Sequence, residues 1–355
     1  MTAPRLEIRL DLVEENARLL VDRLAPRGIR VTGVTKAALG SPGVARALMR
    51  GGASGIADSR VENLERLGEA HVAAFRTLLR SPMISQVARV VANADVSLNT
   101  EHAVLDALNE AALGYGRTHA VLLMVELGDL REGVPAHDVV ALARSVSRRG
   151  GLTLAGLGAN LACQCGVVPD QHKMDELSDL VEKVERVVGE RLAVVSGGNS
   201  ANLEWALGTE DVGRVDELRL GEALLLGREP LHRRPIEGLH VDAFTLVAEV
   251  IEVQDKPAQP WGDTAQAAHA GPCSRSGTGT IRQALVALGR QDTDPDGLTP
   301  PDGLTILGAS SDHLVLDAGD ILLAPGDDVS FAVSYGALVR AMTSPFITKV
   351  ELRED

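Results

Sequence analysis

"VTGVTKAALG", residues 31–40, decides the fold. It opens with β-branched residues, as a strand does, and its apolar run ends at a lysine, Lys36. Similar short apolar stretches recur at 54–59, 76–81, 94–100, 120–127, 154–161, 193–199 and 217–227, and longer helical patterns separate them. In "SPGVARALMRGG" (41–52), Val44, Ala47 and Leu48 fall at helical spacing between a Ser-Pro start and a Gly-Gly stop. "DELSDLVEKVERVVGE" (175–190) puts Leu177, Leu180, Val181 and Val184 on one face and charges on the other. Eight strands alternating with helices predict an α/β fold, a closed (β/α)8 TIM-like barrel of parallel strands. Lys36 would then stand at the C-terminal end of the first barrel strand, where such barrels build their active sites.

The pattern changes after residue 227. The linker "GREPLHRRPIEG" (227–238) leads to alternating strand candidates "HVDAFTLVAEVIEV" (240–253), "GLTILGASSDHLVLD" (303–317) and "DDVSFAVSYG" (327–336). The expected organisation is a barrel over 13–232 and a C-terminal β-rich domain over 233–355. The alternating "RLEIRLDL" implies that residues 1–12 supply a strand to the second domain. Two Gly/Pro/Asp-rich loops, 256–279 and 289–303, are long for idle connections and are either functional or mobile.

A net charge of −14 argues against nucleic acid, which is gripped by clustered Lys and Arg. No apolar run approaches the roughly 20 residues of a membrane helix, and the N-terminus lacks a basic segment followed by an apolar core. A cytoplasmic protein with a small-molecule substrate is expected. Cys163, Cys165 and Cys273 are few and odd in number, which fits a reducing compartment. Cys163 and Cys165 have no accompanying ligand motif, so a structural or substrate-lining role is preferred to a metal pair. Aromatic residues make up only 2% of the chain, so the core must be aliphatic.

Three motifs carry chemistry. Lys36 is either a lysine snorkelling at a strand end or a buried amine made nucleophilic by desolvation and able to form a Schiff base. "SGGNSANL" (196–203) ends a strand in two glycines and opens a helix. It is an ordinary turn or a phosphate cradle of backbone N–H groups. "RLGEALLLG" (219–227) puts Arg219 on the last barrel strand just before a glycine. A lysine on strand one and anion-binding backbone on strands seven and eight suit an aldehyde cofactor bearing a phosphate.

The joint order of Lys36, "SGGNSANL", "RLGEALLLG" and "GASSDHLVLD" (308–317) resembles the alanine racemase superfamily, the fold type III pyridoxal 5'-phosphate (PLP) enzymes. Within it the chain is most similar to the alanine/ornithine racemase group. The resemblance covers essentially the whole chain and implies a PLP-dependent racemase of an amino acid such as ornithine, lysine or alanine. It implies that Lys36 carries PLP covalently and is one of two bases at the substrate Cα. Gly197, Gly198, Asn199, Ser200 and Gly221 would hold the phosphate, Arg219 would face the pyridine nitrogen, and Asn160 would stand where related enzymes stack a histidine on the ring. Arg131 would approach the cofactor oxygen and substrate carboxylate, unless it is an ordinary surface arginine.

The resemblance further implies a homodimer in which each second domain enters the partner's barrel, with Ser311 and Asp312 near the substrate. A carboxylate at Asp312 would favour a diamino acid through its distal ammonium, unless Asp312 merely bonds its own turn. The tyrosine that alanine racemases use as opposite base is replaced by Arg290 in "ALGRQD" (287–292). His313 is the preferred substitute, with Cys163, Cys165 and Tyr335 as alternatives. Met124 stands where some relatives carbamylate a lysine. A non-catalytic PLP-homeostasis protein would lack the second domain, and a decarboxylase of this fold would carry cysteine where Ser311 stands.

Overall fold

The computed structural model describes residues 2–265 and 277–353. The chain divides into two units, residues 11–241 and residues 1–10 with 242–355. Strand β1 (Arg5–Arg9) belongs to the second unit, and helix α1 (Leu10–Leu24) follows it. Strands β2 (Arg30–Val34), β3 (Gly55–Asp58), β4 (Arg76–Leu78), β5 (Val96–Asn99), β6 (His119–Val125), β7 (Leu152–Ala159), β8 (Val194–Gly198) and β9 (Glu217–Leu220) come next. Each is parallel to its neighbour, and β9 pairs back onto β2 with Thr32 opposite Arg219, so the eight strands close a barrel. Helices α2 (Pro42–Arg50), α3 (Val61–Glu69), α4 (Val87–Asn93), α5 (His102–Gly114), α6 (Ala136–Val146), α7 (Gln171–Val188), α8 (Leu203–Gly208) and α9 (Glu222–Leu226) alternate with them.

Local chemistry sets these boundaries. Ser41 caps α2 by accepting the Val44 N–H at 3.2 Å, and Pro42, which has no N–H to leave unpaired, starts the helix. Asp170 caps α7 through the Lys173 N–H at 2.9 Å, and Gly189 ends it at φ +83°. The buried stripe of α7, Met174, Leu177, Leu180, Val181 and Val184, contributes roughly 1.5–3 kcal/mol per large side chain. Inside the barrel, Val96, Leu98, Leu122 and Met124 form an apolar cluster. Met124 is therefore a packing residue here.

Several strands are shorter than the sequence implies, β4 ending at Leu78, and two of the early stops shape the site. β2 stops at Val34, and Lys36 begins a 3-10 turn, Lys36–Ala38, just beyond it. β9 stops at Leu220 because Gly221 leaves the extended region, and the wholly buried Ala223–Leu226 run continues as helix.

The second unit adds β10 (Phe244–Pro257), β11 (Thr280–Val286), β12 (Leu298–Thr299), β13 (Thr305–Ala309), β14 (Leu314–Asp317), β15 (Asp328–Val333), helix α10 (Tyr335–Thr343) and β16 (Thr348–Leu352). The sheet runs β12-β15-β10-β11-β14-β13, with β1 antiparallel to β10 and parallel to β16. A register shift between Val250 and Glu252 lets the first half of β10 pair with β1 and β15 and its second half with β11. Phe244 and Phe331 fill the core of this unit.

The 289–303 loop is pinned, since Gly289 N–H donates to Asp292 Oδ2 at 2.9 Å and the buried Thr293 hydroxyl to Ala337 O at 3.1 Å. Cys273 and most of the 268–279 stretch lie outside the described residues. Among the described residues no helix is long and apolar enough to cross a membrane.

Candidate active site

The barrel mouth is built from strand ends. Thr35, wholly buried below Lys36, donates its hydroxyl to Asp58 Oδ2 at 2.8 Å. Asp58 ends β3 and also accepts Asn63 Nδ2 at 2.9 Å and the Arg60 N–H at 3.0 Å. Solvent reaches the Lys36 side chain, yet protein surrounds it closely enough that desolvation lowers its proton affinity. Arg131 adds to that shift, Asp58 and Glu132 oppose it, and Cys163 is a fourth group within electrostatic reach of the amine.

Arg219 is 4% exposed and donates to Ser196 Oγ and, at 2.9 Å, to Ala159 O. Burial lowers its proton affinity, but a guanidinium in a protein keeps its charge. Beside it, Gly198 has φ +145°, and a Cβ there would lie 2.1 Å from Asn202 Oδ1, so only glycine fits. Asn199 and Asn202 form a capping box in which the Asn199 N–H is engaged by Asn202 Oδ1 at 3.2 Å. That amide is therefore committed within the loop. The Ser200 hydroxyl oxygen instead accepts the N–H groups of Gly221 and Ala223, each at 3.3 Å. An oxygen already lies where these amides converge, and a phosphate oxygen would meet the same donors.

Asn199 Nδ2 also donates to Asn160 Oδ1 at 3.1 Å and Leu161 O at 2.8 Å, and lies 3.5 Å from Cys163 Sγ. Asn160 Nδ2 is buried with no partner among the described residues, a donor that a ligand would satisfy. Arg131 pairs in bidentate fashion with Glu132, so its guanidinium is held at the mouth with one carboxylate already on it. Asp129, 1% exposed, accepts four backbone N–H groups, from Cys163 (2.9 Å), Gln164 (2.8 Å), Cys165 (3.1 Å) and Val167 (3.3 Å). Burial would raise its pKa, but the four donors hold it below the usual carboxylate range.

The structure thus brings Lys36, Arg131, Asn160, Gly197 to Ser200, Arg219 and Gly221 to one end of the barrel. Ser311, Asp312 and His313 lie together in the second unit, on the turn between β13 and β14. There Ser310 Oγ accepts the N–H groups of His313 (3.0 Å) and Asp312 (3.4 Å), so Ser310, not Asp312, organises the turn. Asp312 Oδ1 lies 3.0 Å from His313 Nδ1, and this contact, then Ser310, holds its carboxyl below the usual range. Ser311 lines a 260 Å³ cavity with Arg290 and Arg340. Ser196 and Asp58 were findable as polar residues at barrel-strand ends. Asp129 and Glu132 carry no such signal.

A desolvated lysine, a buried arginine, an orphaned amide donor and an oxygen-holding pair of amides fit a phosphate-bearing aldehyde. Such a constellation suits a barrel enzyme that uses PLP. The family described as "Alanine racemase, N-terminal domain" matches residues 8–229. The lysine racemase of Thermotoga maritima is 37% identical over 355 residues, covering 99% of each chain. The ornithine racemase of Acetoanaerobium sticklandii is 34% identical over 350 residues, covering 98% of this chain and 99% of that one. Among solved structures, the alanine racemase of Streptomyces lavendulae superposes with a TM-score of 0.77 at 21% identity, covering 99% of this chain and 98% of that one. The chain belongs to the alanine racemase family.

Proposed function

We propose that this chain interconverts the L and D forms of a diamino acid, lysine or ornithine, at the Lys36 site of its barrel. The observation that carries the reading is full-length similarity to a lysine and an ornithine racemase in a chain whose barrel mouth fits PLP around Lys36. Bound PLP supplies the electron withdrawal that makes the Cα proton of an amino acid removable. Lys36, whose ammonium is weakened by desolvation, provides a neutral amine that takes the Cα proton or, when protonated, returns one. Ser200 with the Gly221 and Ala223 amides would hold the phosphate, and Asn160 would offer its unpartnered donor.

Arg219, a buried fixed cation, would disfavour protonation of a pyridine nitrogen placed beside it and so restrain side reactions. Arg131, steadied by Glu132, receives the substrate carboxylate. The distal ammonium meets Asp312, with His313 fixing that carboxylate, in a homodimer whose second units complete the partner's site. The reaction belongs in the cytoplasm, where the free thiols of Cys163 and Cys165 stay reduced.

The test is proton NMR of the PLP-loaded protein in D₂O with separate L- and D-amino acids. Loss of the Cα signal and of optical activity for lysine or ornithine supports the reading. Absence of exchange with either diamino acid, with cofactor bound, rules it out.

A further inference from the structure

Resting on the racemase reading, we propose that Cys163 is the second acid/base of the barrel site, working opposite Lys36. Racemisation needs a proton taken from one face of Cα and one delivered to the other. The chain has only two tyrosines. Tyr115 caps α5 ahead of β6, at the end of the barrel away from Lys36, while Tyr335 and His313 belong to the second unit, which in the proposed dimer serves the partner's site, so the barrel's own candidates are the groups near Lys36. Among the charged and titratable groups around Lys36, Arg131 and Arg219 keep their protons. Asp58 is fully buried and committed to three donors, Asp129 to four amides, and Glu132 to Arg131.

Cys163 remains, and several contacts hold it in place. Its backbone is fixed by Asp129, its sulfur lies 3.5 Å from Asn199 of the cofactor loop, and its thiol is exposed. The same Asn199 amide holds Asn160, whose buried unpartnered Nδ2 marks this corner as a place where a ligand atom belongs. Cys163 lies within electrostatic reach of Lys36, Arg131 and Arg219 alike. In one direction the thiolate takes the Cα proton and becomes a thiol while the Lys36 ammonium gives its proton to the other face. In the other direction Lys36 accepts and the thiol donates, and exchange with water resets both groups.

Cys163→Ala and Cys163→Ser are prepared with PLP and given each enantiomer of lysine or ornithine in D₂O. Racemisation should fall by about 100-fold or more, while Cα exchange persists for one enantiomer only, the one whose proton faces Lys36. In wild-type protein, iodoacetamide labelling of Cys163, read by peptide mapping, should drop at least several-fold when PLP and amino acid are added to the cofactor-free form. Wild-type racemisation in Cys163→Ala, equal loss of exchange for both enantiomers with PLP still bound, or labelling indifferent to ligand would overturn the proposal. If His313→Ala, not Cys163→Ala, produces the one-sided exchange, the second base is His313. A wild-type protein that exchanges neither enantiomer defeats the racemase reading itself, whereas a racemising wild type with an unaffected Cys163→Ala defeats only this inference.

Discussion

Asp129 accepts the backbone N–H of Cys163 at 2.9 Å across a sequence separation of 34 residues, and through three further amides it folds the whole 163–167 turn around one carboxylate. An amide oxygen in its place serves fewer of these donors and carries no charge. Asp129→Asn should therefore cost about 2–3 kcal/mol in urea unfolding near neutral pH, since hydrogen bonds to charged groups contribute about 1.5–3 kcal/mol. Because the folded pKa of Asp129 lies below its unfolded value, its contribution is complete above about pH 4 and is lost as pH falls further. The gap between wild type and variant should persist through neutral pH and close below about pH 4. A gap that stays constant through that range would contradict the assignment.

His119 is 1% exposed between β5 and β6, with Nε2 2.9 Å from Ser97 Oγ and Nδ1 unpartnered. Burial pushes its pKa down to about 4. The unfolded chain binds a proton near pH 6.5 and the folded one only near 4, so stability is lost as pH falls between those values. Wild type should lose about 2 kcal/mol from this group between roughly pH 7.5 and pH 5. His119→Gln should remove that portion, and equal pH dependence of the two proteins would count against it.

Lys36→Ala should abolish the visible band of bound PLP and reduce racemisation by at least about 1,000-fold. Folding should be unchanged, because the side chain projects into a solvent-reached mouth. Absorbance and circular dichroism on one sample separate the two effects, and a retained band would refute the lysine's role.

Asp312→Ala should lower kcat/KM for lysine or ornithine by about 10- to 100-fold, the value of a hydrogen bond to a charged partner. Alanine, which has no distal ammonium, should be affected far less. Equal losses for alanine and the diamino acids would remove Asp312 from substrate selection.

The barrel was countable in the sequence because each strand is short, apolar and bracketed by turn residues, and Lys36 stood out as the polar residue ending one of them. The ends of β2 and β9 were misjudged because "TK" and "EALLL" satisfy strand and helix patterns equally. Asp129 was invisible for a different reason. Its partners are main-chain N–H groups, which every residue but proline possesses, so no side-chain pattern announces them. Ser310 escaped likewise, since Asp312 alone was weighed as the residue bonding this turn.

The sheet of the second unit includes a strand, β1, that stands ahead of the whole barrel in the chain. β1 finds its two neighbours in β10 and β16, both of which follow the whole barrel in the chain. Without them Arg5–Arg9 is a strand without a sheet, open to pairing with any stray edge. The charges of Arg5, Glu7 and Arg9 alternate with Leu6 and Ile8, and this discourages such encounters until β10 and β16 arrive. The barrel, contiguous in the chain, needs nothing made after residue 241 and can form first. Removing β16 should therefore leave the barrel whole while stranding Arg5–Arg9 at the edge of its sheet.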